Sequence, residues 1–233
     1  MISIILPTYN REVYLVDALN SIIGQTYKDW ECIVVDDGST DHTHKIMDFY
    51  TERDKRIKYY KLPQNYGIAV ARNFGIQVSK GEYIAVMDSD DVMMKDRLKK
   101  SLKVIKGKVV DKKTFTLEPL DFVYSSYYLG DENAIMQSVY MPPTHPTRED
   151  VKNNAAFPHV TILARKYAFE AIPYNYKYKT NDDARLLADW YFAGYRSKLI
   201  KEPLTIVRVH KGNVSKKQQK EIAKSTKKIQ DEF

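Results

Sequence analysis

The stretch Tyr83-Ile84-Ala85-Val86-Met87-Asp88-Ser89-Asp90-Asp91 decides how the chain is read. Five mostly apolar residues make a short buried strand, and three carboxylates crowd its carboxyl end. On extended backbone Asp88 and Asp90 point one way while Ser89 points the other. Two carboxylates on one side repel each other unless a cation lies between them. A hard divalent metal, held by one or two carboxylates and completed by water and substrate phosphate, suits such a pair. A turn in which Asp90 or Asp91 caps a helix beginning near Lys95 accounts for the same residues. The rest of the chain has to choose between the two.

Towards the amino terminus the pattern is regular. Ile2–Leu6 is a compact apolar strand, broken by Pro7-Thr8-Tyr9-Asn10. Val13, Val16, Leu19, Ile22 and Ile23 recur at helical spacing between Glu12 and Ile23. Glu31–Val35 is a second strand, so the opening is a strand–helix–strand unit of parallel α/β type. Asp36-Asp37-Gly38-Ser39-Thr40-Asp41 follows, with Ser39, Thr40 or Asp41 capping a helix through about Tyr50. Ile57–Tyr60 reads as a third strand, Asn65-Tyr66-Gly67 as a turn, and Ile68 to Val78 as a helix that leads into the quoted strand. In open α/β sheets ligands bind beyond the carboxyl ends of the strands. Three such ends here carry Tyr9/Asn10, Asp36/Asp37 and Asp88/Asp90. No Gly-x-Gly-x-x-Gly follows the first strand and no P-loop occurs, which excludes the dinucleotide fingerprint and a P-loop nucleotidase.

Composition narrows the class. The length of 233 residues suits one large domain or two closely joined halves. No apolar run approaches a membrane span, and Met1–Pro7 is too short and uncharged for a signal peptide. The single Cys32 excludes an internal disulfide and a cysteine metal cluster. Together these point to a cytoplasmic setting. A net charge of +7, from 37 Lys+Arg against 30 Asp+Glu, admits anionic partners such as nucleotide phosphates, a membrane surface or nucleic acid. Most of the basic residues are scattered as on any solvated surface.

The second half is less periodic. Asp121–Tyr127 and His159–Ala164 read as strands and Arg165–Ala171 as a short helix, while Gly130 to Asn154, with Pro142, Pro143 and Pro146, reads as a loop. Asn181 or Asp182 is placed to cap a helix running to Ala193, and Arg196–Ile200 and Leu204–His210 read as two further strands. Ser215 to Phe233 is basic and helical, with a thin stripe of Ile222, Thr226, Ile229 and Phe233.

In order along the chain, these residues resemble a family 2 glycosyltransferase of the GT-A fold. Pro7-Thr8-Tyr9-Asn10 looks like the family's first nucleotide loop, and Val34 through Asp41 is similar to its second. Asn65-Tyr66-Gly67 with Ala71-Arg72-Asn73 matches its Gly…Ala-Arg-Asn helix. Asp88-Ser89-Asp90-Asp91, with Arg97-Leu98 behind it, looks like the Asp-x-Asp element. Asp182-Asp183 before Gly194 resembles the acidic pair that supplies the catalytic base, although Glu-Asp is the commoner form. Arg208-Val209-His210 and Ser215 look like the carboxyl-terminal His segment.

The resemblance implies an α/β GT-A-like domain over residues 1–215, with a mostly parallel central sheet flanked by helices. Residues 1–110 would be the nucleotide-sugar half and 111–215 the acceptor half, followed by a basic helical tail at 216–233. It implies an inverting transferase that moves a single sugar from a nucleotide diphosphate donor, with UDP the expected nucleotide, to an acceptor hydroxyl. That acceptor would be a glycan, a lipid-linked or another hydroxyl compound. Pro7, Thr8, Tyr9, Asn10, Asp37, Arg72, Asp88 and Ser89 would bind the donor. Tyr9 would stack on the base, Asp37 would accept a uracil N–H, and Asp88 would face the ribose. Asp90 and His210 would hold Mn²⁺ or Mg²⁺, and Asp183 would be the general base. Asp182, His159 and Trp190 are acceptor-side candidates. His159 is equally well read as structural, and Trp190 is read first as core. The chain shows no membrane segments after His210, unlike processive polysaccharide synthases. The basic tail is read either as a peripheral contact to an anionic membrane or as a cap on the domain, its stripe being too thin for an amphipathic anchor. The competing readings are a non-catalytic nucleotide- or glycan-binding module, and a nucleotidyltransferase, for which Pro7–Arg11 lacks the glycine-rich loop.

Overall fold

The computed structural model describes residues 1–110, 117–154, 156–213 and 219–233. Four strands form its parallel core: β1 (Ile2–Thr8), β2 (Trp30–Asp36), β3 (Ile57–Lys61) and β4 (Tyr83–Val86). β1 lies between β2 and β4, in register Ile4↔Cys32 and Ile4↔Ala85, and β3 lies outside β2. All seven residues of β1 and of β2 are buried, as expected of parallel strands covered on both faces.

Alternation along the strands builds two cores. Ile4, Leu6, Cys32, Val34 and Ala85 pack with Leu15, Leu19 and Ile22 of α1 (Glu12–Ile23), Met47 of α2 (Thr43–Arg53), and Leu98, Leu102 and Ile105 of α4 (Arg97–Ile105). Ile5, Ile33, Val35, Ile84 and Val86 face the opposite side. There they meet Ala71 and Ile76 of α3 (Ile68–Val78), Phe169 of α6 (Lys166–Ala171), and Leu186, Leu187 and Trp190 of α7 (Asp182–Phe192). α3 lies directly on β1 because Gly75 has no side chain: a Cβ there would stand 2.9 Å from Cγ2 of Ile5.

The sheet then continues with the second half of the chain. β10 (Leu163–Arg165) is antiparallel to both β4 and β8 (Phe122–Gly130). β11 (Ser197–Arg208) runs parallel to β8, and its far end pairs with β5 (Val92–Met93) directly after the acidic stretch. Among the described residues the strand order is β3-β2-β1-β4-β10-β8-β11-β5, with β9 (Met136–Tyr140) added to β8. A separate ribbon joins β6 (Lys108–Val110) to β7 (Leu117–Pro119). This is the mixed α/β sheet expected, parallel at its centre.

Several local expectations are corrected. β1 runs through Pro7 to Thr8 instead of breaking at Pro7, which lies in register with Val35. The segment 130–154 is not all loop, since it contains β9 and α5 (Arg148–Lys152), whose Thr147 and Asp150 form a reciprocal capping box. His159–Thr161 is a 3₁₀ turn, and the strand begins only at Leu163. The two strands expected at 196–210 are one strand, with irregular register around Pro203, because that proline cannot donate to the ladder. Neither Asp90 nor Asp91 caps α4, which begins at Arg97 after Asp96. The tail forms α8 (Gln219–Glu232), and its stripe is docked onto the protein, with Ile229 buried and Phe233 stacked on Phe192 at 4.3 Å. That stripe therefore cannot also lie in a bilayer. No described helix is long and apolar enough to cross a membrane. The Ser215 assignment lies outside the described residues.

Candidate active site

The carboxyl ends of β1, β2 and β4 open into a cleft of about 640 Å³ closed on the far side by the start of α7 and by Ile222 of α8. Its lining includes Pro7, Thr8, Tyr9, Asp37, Arg72, Asp88, Ser89, Asp90, Asp182 and Asp183. Residues separated by up to 215 positions in sequence are thus gathered around one sheet edge.

On the amino-terminal side the loops are braced tightly. Gly38, at φ +79°, forms a turn whose Cβ position lies 2.6 Å from the Gln64 carbonyl carbon, so only glycine fits. Asp36 is fully buried and accepts from the Ser39 amide and the Tyr59 hydroxyl. Asp37 points to the cleft side and accepts from the Tyr66 and Gly67 amides at 2.8 and 2.9 Å. Burial nevertheless outweighs these two bonds and raises the Asp37 carboxyl above its ordinary pKa, with Asp36 adding to the rise. Asn10, at φ +51°, uses its side-chain oxygen to accept from the Thr40 and Asp41 amides. It ties the first loop to the second and does not line the cleft, which revises its expected place among the donor contacts. Tyr9 stays 42% exposed, with a ring face free at the rim. The Thr8 hydroxyl lacks a partner among the described residues although it is buried at the cleft wall. A buried polar atom of this kind calls for a water or a ligand.

Three buried arginines surround the acidic strand end. Arg72 of α3 donates to Asp88 Oδ1 at 2.9 Å and to Asp182 Oδ2 at 2.8 Å, and it is 4% exposed. Two of its guanidinium nitrogens are thus committed to carboxylates, while its buried Nε has no partner among the described residues. Arg97 lies beneath, donating to the Val86 carbonyl, and burial pulls its pKa down to about 10 against the pull of Asp91 and Asp88. Arg208 of β11 uses every donor: its amide to Asp91 Oδ1, Nε to the Asp90 carbonyl, Nη1 to the Glu132 carbonyl, and Nη2 to Asp17. Burial, together with Asp90 and Asp88, still holds the Asp91 carboxyl well above the usual range. Asp88 is also raised, chiefly by burial, while Arg72 opposes the rise.

Asp90 is placed differently. Its Oδ2 lies 3.0 Å from His210 Nε2 and 3.4 Å from Arg11 Nε. His210 is buried, packs against Tyr14 at 4.3 Å, and accepts at Nδ1 from the Gly212 amide. That bond keeps the proton on Nε2, facing Asp90, so ligation of a metal by Nε2 needs the other tautomer and release of Gly212. Among the described residues no cluster of three or more His, Cys, Asp or Glu stands ready as a metal cage. The donor set nonetheless fits a divalent ion. Asp37, Asp88, Asp90, Asp91, Asp182 and Asp183 line the cleft with Arg11, Arg72 and Lys179, an acidic surface on which an added cation would offset the charge of a diphosphate.

Asp183 is the first-turn residue of α7. It accepts from the Ala184 amide, and burial with the Asp182 carboxylate pushes its carboxyl up to about 6, while Arg72 works against the rise. His159 does not line the cleft. It is buried, its Nε2 lies 2.6 Å from the Tyr174 hydroxyl, and burial plus Arg72 and Arg97 holds its pKa well below the usual value. Trp190 is fully buried against Phe122 and Phe169, with Nε1 donating to the Ile172 carbonyl. Its placement in the acceptor set is corrected to core packing. Sequence reading did not find Arg11, Lys179 or Asn181 as site residues. Arg11 follows a motif it did single out, but nothing in linear spacing links it to Asp90.

Comparison with known proteins agrees with this geometry. Residues 3–111 match the model described as glycosyl transferase family 2. An uncharacterized glycosyltransferase of Haemophilus influenzae is 44% identical over 102 residues, 44% of this chain and 41% of that protein. Glycosyltransferase GlyG of Streptococcus pneumoniae is 29% identical over 219 residues, 92% of this chain and 72% of that protein. The first of these is thus matched over less than half its length. The crystal structure of S. aureus TarS in complex with UDP superposes with a TM-score of 0.70 at 21% identity, covering 100% of this chain and 70% of that one. A mannosyltransferase from Pyrobaculum calidifontis, solved with GDP-Man and Mn²⁺, gives 0.70 at 17% identity over 97% of this chain and 64% of that one. Through residues 3–111 the chain is similar to glycosyl transferase family 2, and its fold is that of the GT-A glycosyltransferases.

Proposed function

We propose that this chain is an inverting, metal-dependent glycosyltransferase that moves one sugar from a UDP-sugar to an acceptor hydroxyl, with Asp183 as the general base. The observation that carries the reading is one cleft holding Asp88 and Asp90 on its donor wall and Asp183 opposite, with the Asp183 carboxyl raised to about 6. A carboxylate with that value is ionised near neutral pH and basic enough to take a hydroxyl proton as the new bond forms. One such base suffices for a single displacement, and the related proteins solved with UDP and with GDP-Man support a nucleotide-sugar donor.

The chain's own groups divide the work. Tyr9 offers an exposed ring face for the base, and Asp37 can accept an N–H from its edge. The Thr8 hydroxyl, otherwise without a partner, faces the same space. Arg72 fixes Asp88 for the ribose side and Asp182 beside the base. Asp90, with His210 after its change of tautomer, would hold Mn²⁺ or Mg²⁺, which supplies charge stabilisation to the departing diphosphate. Lys179 and Arg11 add positive charge at the rim. Turnover of a panel of UDP-sugars with Mn²⁺ tests the assignment. Asp183→Asn and Asp90→Ala are expected to lose activity, and full activity in both sinks it.

A further inference from the structure

We propose that helix α8, acting through Asn181, is a positioning element for Asp183, so that the tail builds the acceptor side of the site. The inference rests on the reading of Asp183 as base. Asn181 directly precedes α7 and holds left-handed backbone at φ 58° and ψ 27°. A side chain other than glycine adopts that conformation at a cost unless its surroundings impose it. Here they do. The Asn181 amide gives both of its N–H bonds to α8, one to the Ile222 carbonyl at 3.1 Å and one to the Thr226 hydroxyl at 2.8 Å.

None of that side chain is used to cap α7, yet the Asn181 carbonyl accepts the first helical bond, from Arg185, at 2.9 Å. The orientation of the first turn, which carries Asp182 and Asp183, is therefore set by how Asn181 is held. The hold is reinforced on both sides. Thr180 and Ser225 share a hydrogen bond of 3.0 Å, the Tyr178 hydroxyl donates to Glu232, and Arg185 pairs with Glu232. Ile229 is 2% exposed, so the helix is seated and not merely adjacent. Ile222, the residue whose carbonyl holds Asn181, also lines the cleft. Apart from the Arg72–Asp182 pair, which holds the next residue, the contacts that fix Asn181 at the entry to α7 come from α8.

Full-length Asn181→Gly, Thr226→Val and Thr226→Ser proteins test this, beside Asp183→Asn. Asn181→Gly keeps the backbone angle without strain and drops both bonds. Thr226→Val drops one, and Thr226→Ser keeps it. In Asn181→Gly and Thr226→Val, the turnover rate for UDP release from UDP-N-acetylglucosamine with Mn²⁺ is expected to fall roughly tenfold or more, with the KM for that donor and the affinity for UDP unchanged. Amides of residues 182–185 are expected to exchange faster in the same two variants, while Thr226→Ser behaves as wild type in both measurements. The exchange measurement needs no substrate. Wild-type exchange in Thr226→Val overturns the proposal, as does a loss of UDP affinity that parallels the loss of rate. Full activity in Asp183→Asn, with the exchange result as expected, instead removes the base assignment and leaves the mechanical coupling standing.

Discussion

The donor wall and the acceptor wall of the cleft are built on different plans. On the donor side each functional group sits at the end of a buried parallel strand, within a few residues of the motif that names it: Thr8 and Tyr9 after β1, Asp37 after β2, Asp88 and Asp90 after β4. On the acceptor side the groups are held by partners far along the chain. Asp182 is fixed by Arg72 across 110 residues, and Asn181 by Thr226 across 45. On the proposed reading, local order therefore suffices to place the nucleotide groups, whereas the proposed base, Asp183, is placed by the completed tertiary structure. A lesion on one wall should be readable apart from a lesion on the other.

Four experiments break or sharpen that contrast. The largest effect is expected from Asp183→Asn. Loss of a positioned base costs about 10²–10⁴ in kcat, while UDP affinity by calorimetry should not change. A matching loss of UDP binding would mean that the two walls are one unit. Arg72→Met comes next, because it alone touches both walls. It leaves Asp182 buried without its counter-charge and frees the part-exposed Asp88, a change worth about 3–5 kcal/mol in urea unfolding, and it should weaken UDP binding and turnover together. The third concerns pH. The Asp183 carboxyl lies at about 6 in the fold, above its ordinary 3.8, and only the ionised form accepts a proton. Turnover should therefore rise with pH through about 6 and fall about tenfold for each unit below it, with UDP affinity measured alongside as the control. A flat profile between pH 5 and 7 would sink the assignment. The smallest effect belongs to the donor loops. Asn10→Ala removes the clamp on Thr40 and Asp41 and should cost about 1 kcal/mol of stability, with a modest loss of UDP affinity and no change in the pH profile.

How much of this was legible in sequence follows the same divide. β1 to β4 and α1 to α3 are readable from apolar runs and 3.6-residue spacing, since each buries a face that its own sequence displays. Asp88, Asp90, Asp37 and Asp183, singled out by their positions in the sequence, all line one cleft. The misreadings fall where a partner elsewhere in the chain decides. Arg72 looks like a rim residue on its helix until Asp182 claims its second nitrogen pair. Asp91 looks like a cap until the Arg208 amide takes it. β9, with Met136, Val139 and Tyr140, shows neither clean alternation nor flanking glycine, and pairing with β8 is what makes it a strand. Asn181 carries no signal at all, because an asparagine before a helix reads as an ordinary cap. Its left-handed backbone depends on a helix that begins 38 residues later, at Gln219.

The clamp made by Arg208 has a consequence in time. The acidic loop leaves the ribosome early, but the Arg208 amide that bonds the Asp91 carboxylate is translated 117 residues after it. At ordinary elongation rates that interval is on the order of ten seconds. For that period the Asp91 carboxylate stays hydrated, because burying it without its hydrogen-bond donor is costly. The β4 edge, which later receives β10, then stands open to β-strands of other chains. Slowing elongation between β4 and β10 is therefore expected to lower the soluble yield without changing the fold of the protein that survives.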